Sequence, residues 1–167
     1  MAHIKCHKVV FYMADSMRMA KITALQLAKY IVSFAQSKGE PITNLKLQKL
    51  LYYAQGWHLA FFGSTLFDES IQAWVHGPVV PSVYAHFKGY GYNPIPVHPR
   101  AIVLTKELEN FLSELLLTYL RFDAFSLEKM THEEKPWQEA RGSIPPEESC
   151  TNVISLDTMK KFFKKKL

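Results

Sequence analysis

Histidines are the side chains in this 167-residue chain that most invite chemistry, and there are seven of them. His58, His76, His86, His98 and His132 show neither an HExxH pattern nor a pair four residues apart with a carboxylate between them, which is the spacing metal hydrolysis prefers. No metal and no cofactor are therefore expected. A cysteine nucleophile fares no better, because Cys150 follows the acidic run Pro145-Pro146-Glu147-Glu148-Ser149 and nearby negative charge opposes a thiolate. The only other cysteine is Cys6, and without CxxC spacing neither a disulfide framework nor a zinc site is indicated. His132 stands next to Glu133 and Glu134, but neighbours in sequence do not face one another on a helix, so they do not make an acid–base pair. Gly89-Tyr90-Gly91 follows a helical stretch, whereas phosphate-cradling glycines precede one. The chain reads as a non-enzyme with no catalytic residue.

Two further clusters are better explained by backbone shape or recognition than by catalysis. In Trp74-Val75-His76-Gly77-Pro78-Val79-Val80-Pro81, a glycine and two prolines surround a histidine. Such residues first of all dictate a turn, with His76 bonding backbone groups that the turn frees and Trp74 and Tyr84 packing around it. The functional alternative makes His76 a polar anchor for a partner. In Thr131-His132-Glu133-Glu134-Lys135-Pro136-Trp137, Trp137 is read as a core residue, with Thr131 or His132 tethering the turn that delivers Pro136.

Mostly helical elements must position these residues. Thr23 caps a predicted helix to Lys38, with Leu25, Ala28, Val32 and Ala35 on one stripe and Gly39 and Pro41 at its end. Thr43 or Asn44 caps a second, in which Leu47, Leu50, Leu51, Ala54, Trp57, His58 and Phe61 recur at helical spacing up to Gly63. Lys46, Lys49, Tyr53 and Gly56 fall on its other side. Alternation over residues 71–76 predicts a short extended segment, and Pro78 is expected in the first turn of a helix that runs to Lys88. Thr105 caps the clearest amphipathic pattern, Leu108, Phe111, Leu112, Leu115, Leu116 and Tyr119. Ser126 is expected to cap a helix to Met130, Pro136 to start a short one that Gly142 ends, and Ser155 to cap a last one. The two strongest stripes should meet: Leu47, Leu51, Ala54 and Trp57 against Leu108, Phe111, Leu112 and Leu115. The fold class is thus mainly α, a single compact helical domain over residues 22–167, with residues 1–21 a flexible N-terminal extension.

Composition sets the outer bounds. With 48% hydrophobic residues the chain can bury a core unaided. No apolar run approaches the ~20 residues that span a bilayer, so a soluble, cytoplasmic protein is expected. A net charge of +5 raises nucleic acid as a partner. Many of the lysines, however, lie in the C-terminal cluster Lys160, Lys161 and Lys164 to Lys166, where they complement a helix dipole. Lys46, Lys49 and Tyr53 make only a faint basic and aromatic stripe, and no helix precedes Thr43 at helix-turn-helix spacing.

The run Pro41 to Trp57, Pro-Ile-Thr-Asn-Leu-Lys-Leu-Gln-Lys-Leu-Leu-Tyr-Tyr-Ala-Gln-Gly-Trp, taken with the Trp74 to Pro81 block, Thr131-His132 and Pro136-Trp137, resembles the Panacea domain family. Its matching positions include Leu47, Gln48, Leu51, Trp57, Trp74, Gly77, Thr131, His132, Pro136 and Trp137, which the resemblance implies are structural. It also implies a prokaryotic or prophage antitoxin that binds a cognate protein toxin encoded nearby, with delivery of the toxin to a AAA+ protease or regulation through nucleic acid as alternatives. One scaffold that serves many toxins should keep partner choice on its surface. The expected contacts are Lys46, Lys49 and Tyr53 on the polar side of the second helix, where Gly56 leaves room for close approach, together with His76, Pro78 and Tyr84.

Overall fold

The computed structural model describes residues 22–96 and 102–167. The extension expected over residues 1–21 lies outside the described residues, as do His98 and the end of the Asn93 to Arg100 loop. Helix α1, Ala24–Ser37, opens on a complete capping box: Thr23 accepts from the Gln26 amide while the Gln26 side chain accepts from the Thr23 amide. It buries Leu27, Ala28, Ile31, Val32 and Ala35. Helix α2, Asn44–Phe62, is capped by Thr43 and stopped by Gly63 at φ +76°, a left-handed position that a glycine fills without strain.

Helix α2 is the axle of the molecule, since every residue from Lys46 to Ala60 is buried. The chain beyond it forms a hairpin, β1 (Gln72–Trp74) and β2 (Gly77–Val79), with Ala73 opposite Pro78 and Trp74 opposite Gly77. Pro78 therefore does not open a helix as its type suggests. Trp74 and Gly77 close the two-residue turn, so the next pair, Ala73 and Pro78, is a non-hydrogen-bonded one in which the missing N–H costs no ladder bond. The helix start falls to Pro81 instead, in α3, Pro81–Phe87, which a 3-10 turn at Lys88–Tyr90 continues. On its other edge β1 meets Val153, with the Ala73 amide donating to Asn152 O (2.9 Å) and the Ile154 amide to Ile71 O (2.8 Å).

Four more helices follow: α4, Lys106–Tyr119; α5, Ala124–His132; α6, Lys135–Arg141; and α7, Leu156–Lys164. Thr105 and Ser155 cap α4 and α7 as their types predict. For α5 the cap is Asp123, whose carboxylate accepts from the Ser126 amide at 2.7 Å, so Ser126 is the third residue of the helix and not its cap.

Leu47, Leu51, Ala54, Trp57, Leu108, Phe111, Leu112 and Leu115 all belong to one continuous hydrophobic cluster. Helix α4 touches α2 there, yet the most extensive partner of α2 is α7. Helices α1, α3 and α5 and strand β2 cover what remains. The fold is mainly α, with a two-stranded sheet, and among the described residues no helix is long and apolar enough to cross a membrane.

Candidate functional site

Enclosure of α2 overturns one expectation about its polar side. Lys46, Lys49 and Tyr53 do not line an exposed face, being 8%, 0% and 0% accessible, and Pro78 is buried too. Each polar tip has an internal destination instead. Lys46 Nζ donates to Leu120 O at 2.7 Å, and burial lowers its pKa against the pull of Glu40 and Asp123. Lys49 Nζ donates to Pro78 O at 3.2 Å, the carbonyl that β2 turns away from β1. Burial brings the Lys49 ammonium down to about 7, with Glu128 opposing the shift. Tyr53 stacks on Tyr119 at 4.1 Å, and Gly56 receives the chain's own Phe163.

Around Lys49 the sequence motifs converge on the hairpin. Gln48 accepts from the Val80 amide at 2.9 Å and donates to Asn44 at 2.9 Å, and Asn44 in turn donates to Tyr84 O at 3.2 Å. Gly77 has φ +92°, and a β-carbon there would lie 2.8 Å from Lys49 Cε, Lys49 Nζ and Thr131 Oγ1, so position 77 admits only glycine without displacement. Thr131 donates to Glu128 O at 2.7 Å. Trp137 Nε1 donates to Trp74 O at 3.0 Å, with the His132 ring stacked on the indole at 4.2 Å. Burial lowers the His132 pKa. Arg141, unremarkable in sequence, lies 4.8 Å from the centre of the Trp137 ring and donates to Ala73 O at 3.0 Å, to Glu148 O at 2.6 Å and to Pro145 O.

A second polar node lies where α2, the start of α6 and the end of α7 meet. Glu134 is 5% exposed; it accepts from Tyr52 Oη at 2.8 Å and from Lys166 Nζ at 3.1 Å, with Tyr53 Oη at 3.5 Å. Burial raises its pKa, and Lys166 works in the opposite direction. Beside it Trp57 Nε1 donates to Tyr119 Oη at 2.9 Å. Gln55 anchors the next loop, accepting from the amides of Leu66 (2.8 Å) and Phe67 (3.3 Å) and donating to Phe67 O (2.9 Å).

Two of the six expected contact residues do reach the surface. The His76 side chain is 74% exposed and its Nδ1 is 3.0 Å from Glu128 Oε1, while Tyr84 is 38% exposed and packs edge-on to Trp74 at 5.0 Å. One turn before Glu128 on α5 stands Phe125, 73% exposed. Tyr84 of α3 packs on Trp74 of the hairpin, and His76 of the same hairpin meets Glu128 of α5, one turn from Phe125, which sets these residues in one strip. Glu128 and Phe125 escaped the sequence reading because a single charge and a lone aromatic in a polar stretch carry no periodic signal, and Glu134 entered it only as a neighbour of His132, not as a buried carboxylate. The one available clue was helical spacing, which puts Glu128 on the same face as Thr131 and His132.

The motif residues of this helical scaffold are consumed in holding their own backbone, and the comparisons say to which class of protein the scaffold belongs. A family model described as "Antitoxin SocA-like, Panacea domain" matches residues 47–138, from α2 into α6, and the chain belongs to this family. It is similar to Antitoxin SocA of Caulobacter vibrioides (strain NA1000 / CB15N), 32% identical over 131 residues that cover 70% of this chain and 69% of that protein. No solved structure matches it.

Proposed function

We propose that this protein is a non-enzymatic antitoxin that neutralises a protein toxin, encoded beside it, by direct contact. The observation that carries the proposal, beyond membership of the family, is how the polar residues divide. Lys46, Gln48, Lys49, Gln55 and Arg141 are all buried and all bonded to backbone carbonyls or amides of this chain, so they maintain shape. Among the exposed groups is the strip from Tyr84 through His76 to Phe125, in which an exposed aromatic at each end flanks a histidine–glutamate pair. Exposed aromatics anchor an interface by burying large rigid faces, and polar groups beside them set register. Burial of the toxin's active surface against this strip would silence it without chemistry, in the cytoplasm where both are made.

Paired expression tests the proposal. The neighbouring gene product alone should arrest growth, this protein should restore it, and Phe125→Asp or His76→Ala should abolish rescue in variants whose melting temperature is unchanged. A harmless neighbour removes the antitoxin reading, and rescue that survives both substitutions removes this strip. Rescue that disappears in a host lacking its AAA+ proteases would identify a delivery adaptor, and salt-dependent DNA binding a regulator.

A further inference from the structure

Along the side of α2 that faces α7, Gly56 leaves a dent into which the Phe163 ring drops, and a methyl group at position 56 would overlap that ring. Tyr52, Tyr53 and Trp57 wall the dent, their ring centres 5.6, 6.2 and 5.2 Å from that of Phe163. At its edge the buried Glu134 carboxylate meets Lys166 Nζ at 3.1 Å. Shape and charge together describe a receptacle for a helix that carries an aromatic residue and, three positions later, a cation.

The receptacle and its present occupant differ in how firmly they belong to the fold. All the walls, Tyr52 to Trp57 and Glu134, lie within residues 47–138 matched by the family model, whereas α7 lies beyond that match. Helix α7 has nine residues, of which Met159 and Phe163 are buried, and it follows a largely exposed stretch from Gly142 to Ser149 and the short segment that bonds β1 through Asn152 and Ile154. Its Lys166 latch is 45% exposed. Helix α7 is also the most extensive neighbour of α2, so its departure uncovers Phe163 and the rings that wall the dent, and only a helix that covers them again can take its place. Once it leaves, Glu134 loses the cation it pairs with, and an incoming helix that brings one restores the pair.

We infer that α7 is a built-in occupant of a helix-docking groove, and that a toxin is captured when its own amphipathic helix, bearing an aromatic followed three residues later by Lys or Arg, takes the place of α7. This rests on the antitoxin reading for the identity of the occupant, but not for the groove itself. Capture of a helix by a groove with an aromatic pocket is a recurring mode of recognition.

The groove is tested with a fluorescent peptide of residues 155–167 added to the full chain. The Phe163→Ala chain should bind it saturably, at least about tenfold more tightly than the wild type, whose own Phe163 competes. Peptides carrying Phe163→Ala or Lys166→Glu should lose about tenfold or more. In a Gly56→Ala/Phe163→Ala chain the new methyl meets no ring of the chain's own but stands where the peptide's ring would enter, so the chain should stay folded and bind no peptide. A folded Phe163→Ala chain without saturable binding overturns the groove. Independently of any variant, hydrogen exchange on the wild type should show α7 amides less protected than those of α2; equal protection means that α7 leaves only on global unfolding, and overturns it too. Adding the neighbouring gene product should deprotect residues 156–164. A complex in which they stay protected overturns the occupant and leaves the antitoxin reading intact, while the absence of any complex removes both. A concentration-dependent dimer with exchanged α7 would make a second copy the occupant and refute capture of a toxin helix.

Discussion

Lys49 sits wholly buried with one carbonyl for its three N–H groups, and Glu128 is the charged group nearest in influence. Its pKa is about 7 in the fold against an ordinary 10.5, so between those values the unfolded chain holds a proton that the folded chain has lost. Stability must then rise with pH across that window. In urea titrations from pH 6 to 10, the wild type should gain a few kcal/mol on Lys49→Met from about pH 7 upward, and the difference should be flat below pH 7. Parallel curves would show that the lysine is not desolvated. Gly77→Ala should cost about 2–5 kcal/mol, the sum of backbone strain and a methyl forced against Lys49 and Thr131, read as a shift in the urea midpoint at constant slope. That position was legible in the sequence as a required glycine. The burial of Lys49 and Tyr53 was not, because hydrophobic periodicity marks the apolar stripe of a helix and says nothing about carbonyls that a distant hairpin brings to the other side.

Elements were read most securely where one side chain decides an end. Thr23, Thr43, Thr105 and Ser155 each accept a backbone amide at the start of the helix they were expected to cap. The misses share a cause. Asp123 and Ser126 are both good caps, and only the run of the chain out of α4 selects the first. Pro78 and Pro81 both suit a first turn, and only the pairing of Ala73 with Pro78 decides between them. Leu51→Ala should destabilise the fold by about 2–5 kcal/mol, because neighbours on several sides of α2 cannot all collapse into the space. Gln55→Leu should cost at least about 2 kcal/mol, since two amides and a carbonyl at Leu66 and Phe67 lose their partner without access to water. Urea midpoints check both, and a change below about 0.5 kcal/mol would mean that the site is more open than the structure has it.

Taken whole, the molecule spends much of its positive charge on itself. Lys160 Nζ donates to Gly63 O at 2.9 Å, Lys161 pairs with Asp157 at 2.6 Å and Lys166 with Glu134, which leaves Lys164 and Lys165 of the C-terminal cluster as its solvated members. The family was legible before any coordinates because its motifs are ordered and unusual; the groove under α7 was not, because the fit of Gly56 to Phe163 joins residues more than a hundred positions apart. That arrangement also leaves two of the three tryptophans as separate optical reporters. Trp57 lies beside Phe163 and bonds Tyr119, so its emission should respond when α7 leaves. Trp137 lies under the His132 ring at 4.2 Å, and a protonated imidazole quenches an indole by accepting an electron from its excited state. Since burial lowers the His132 pKa, the emission of Trp137 should dim on acidification only below the ordinary imidazole range, in a step that Trp137→Phe removes and Trp57→Phe preserves. One unlabelled chain could thus signal, at two places, whether its hairpin seam or its last helix has moved.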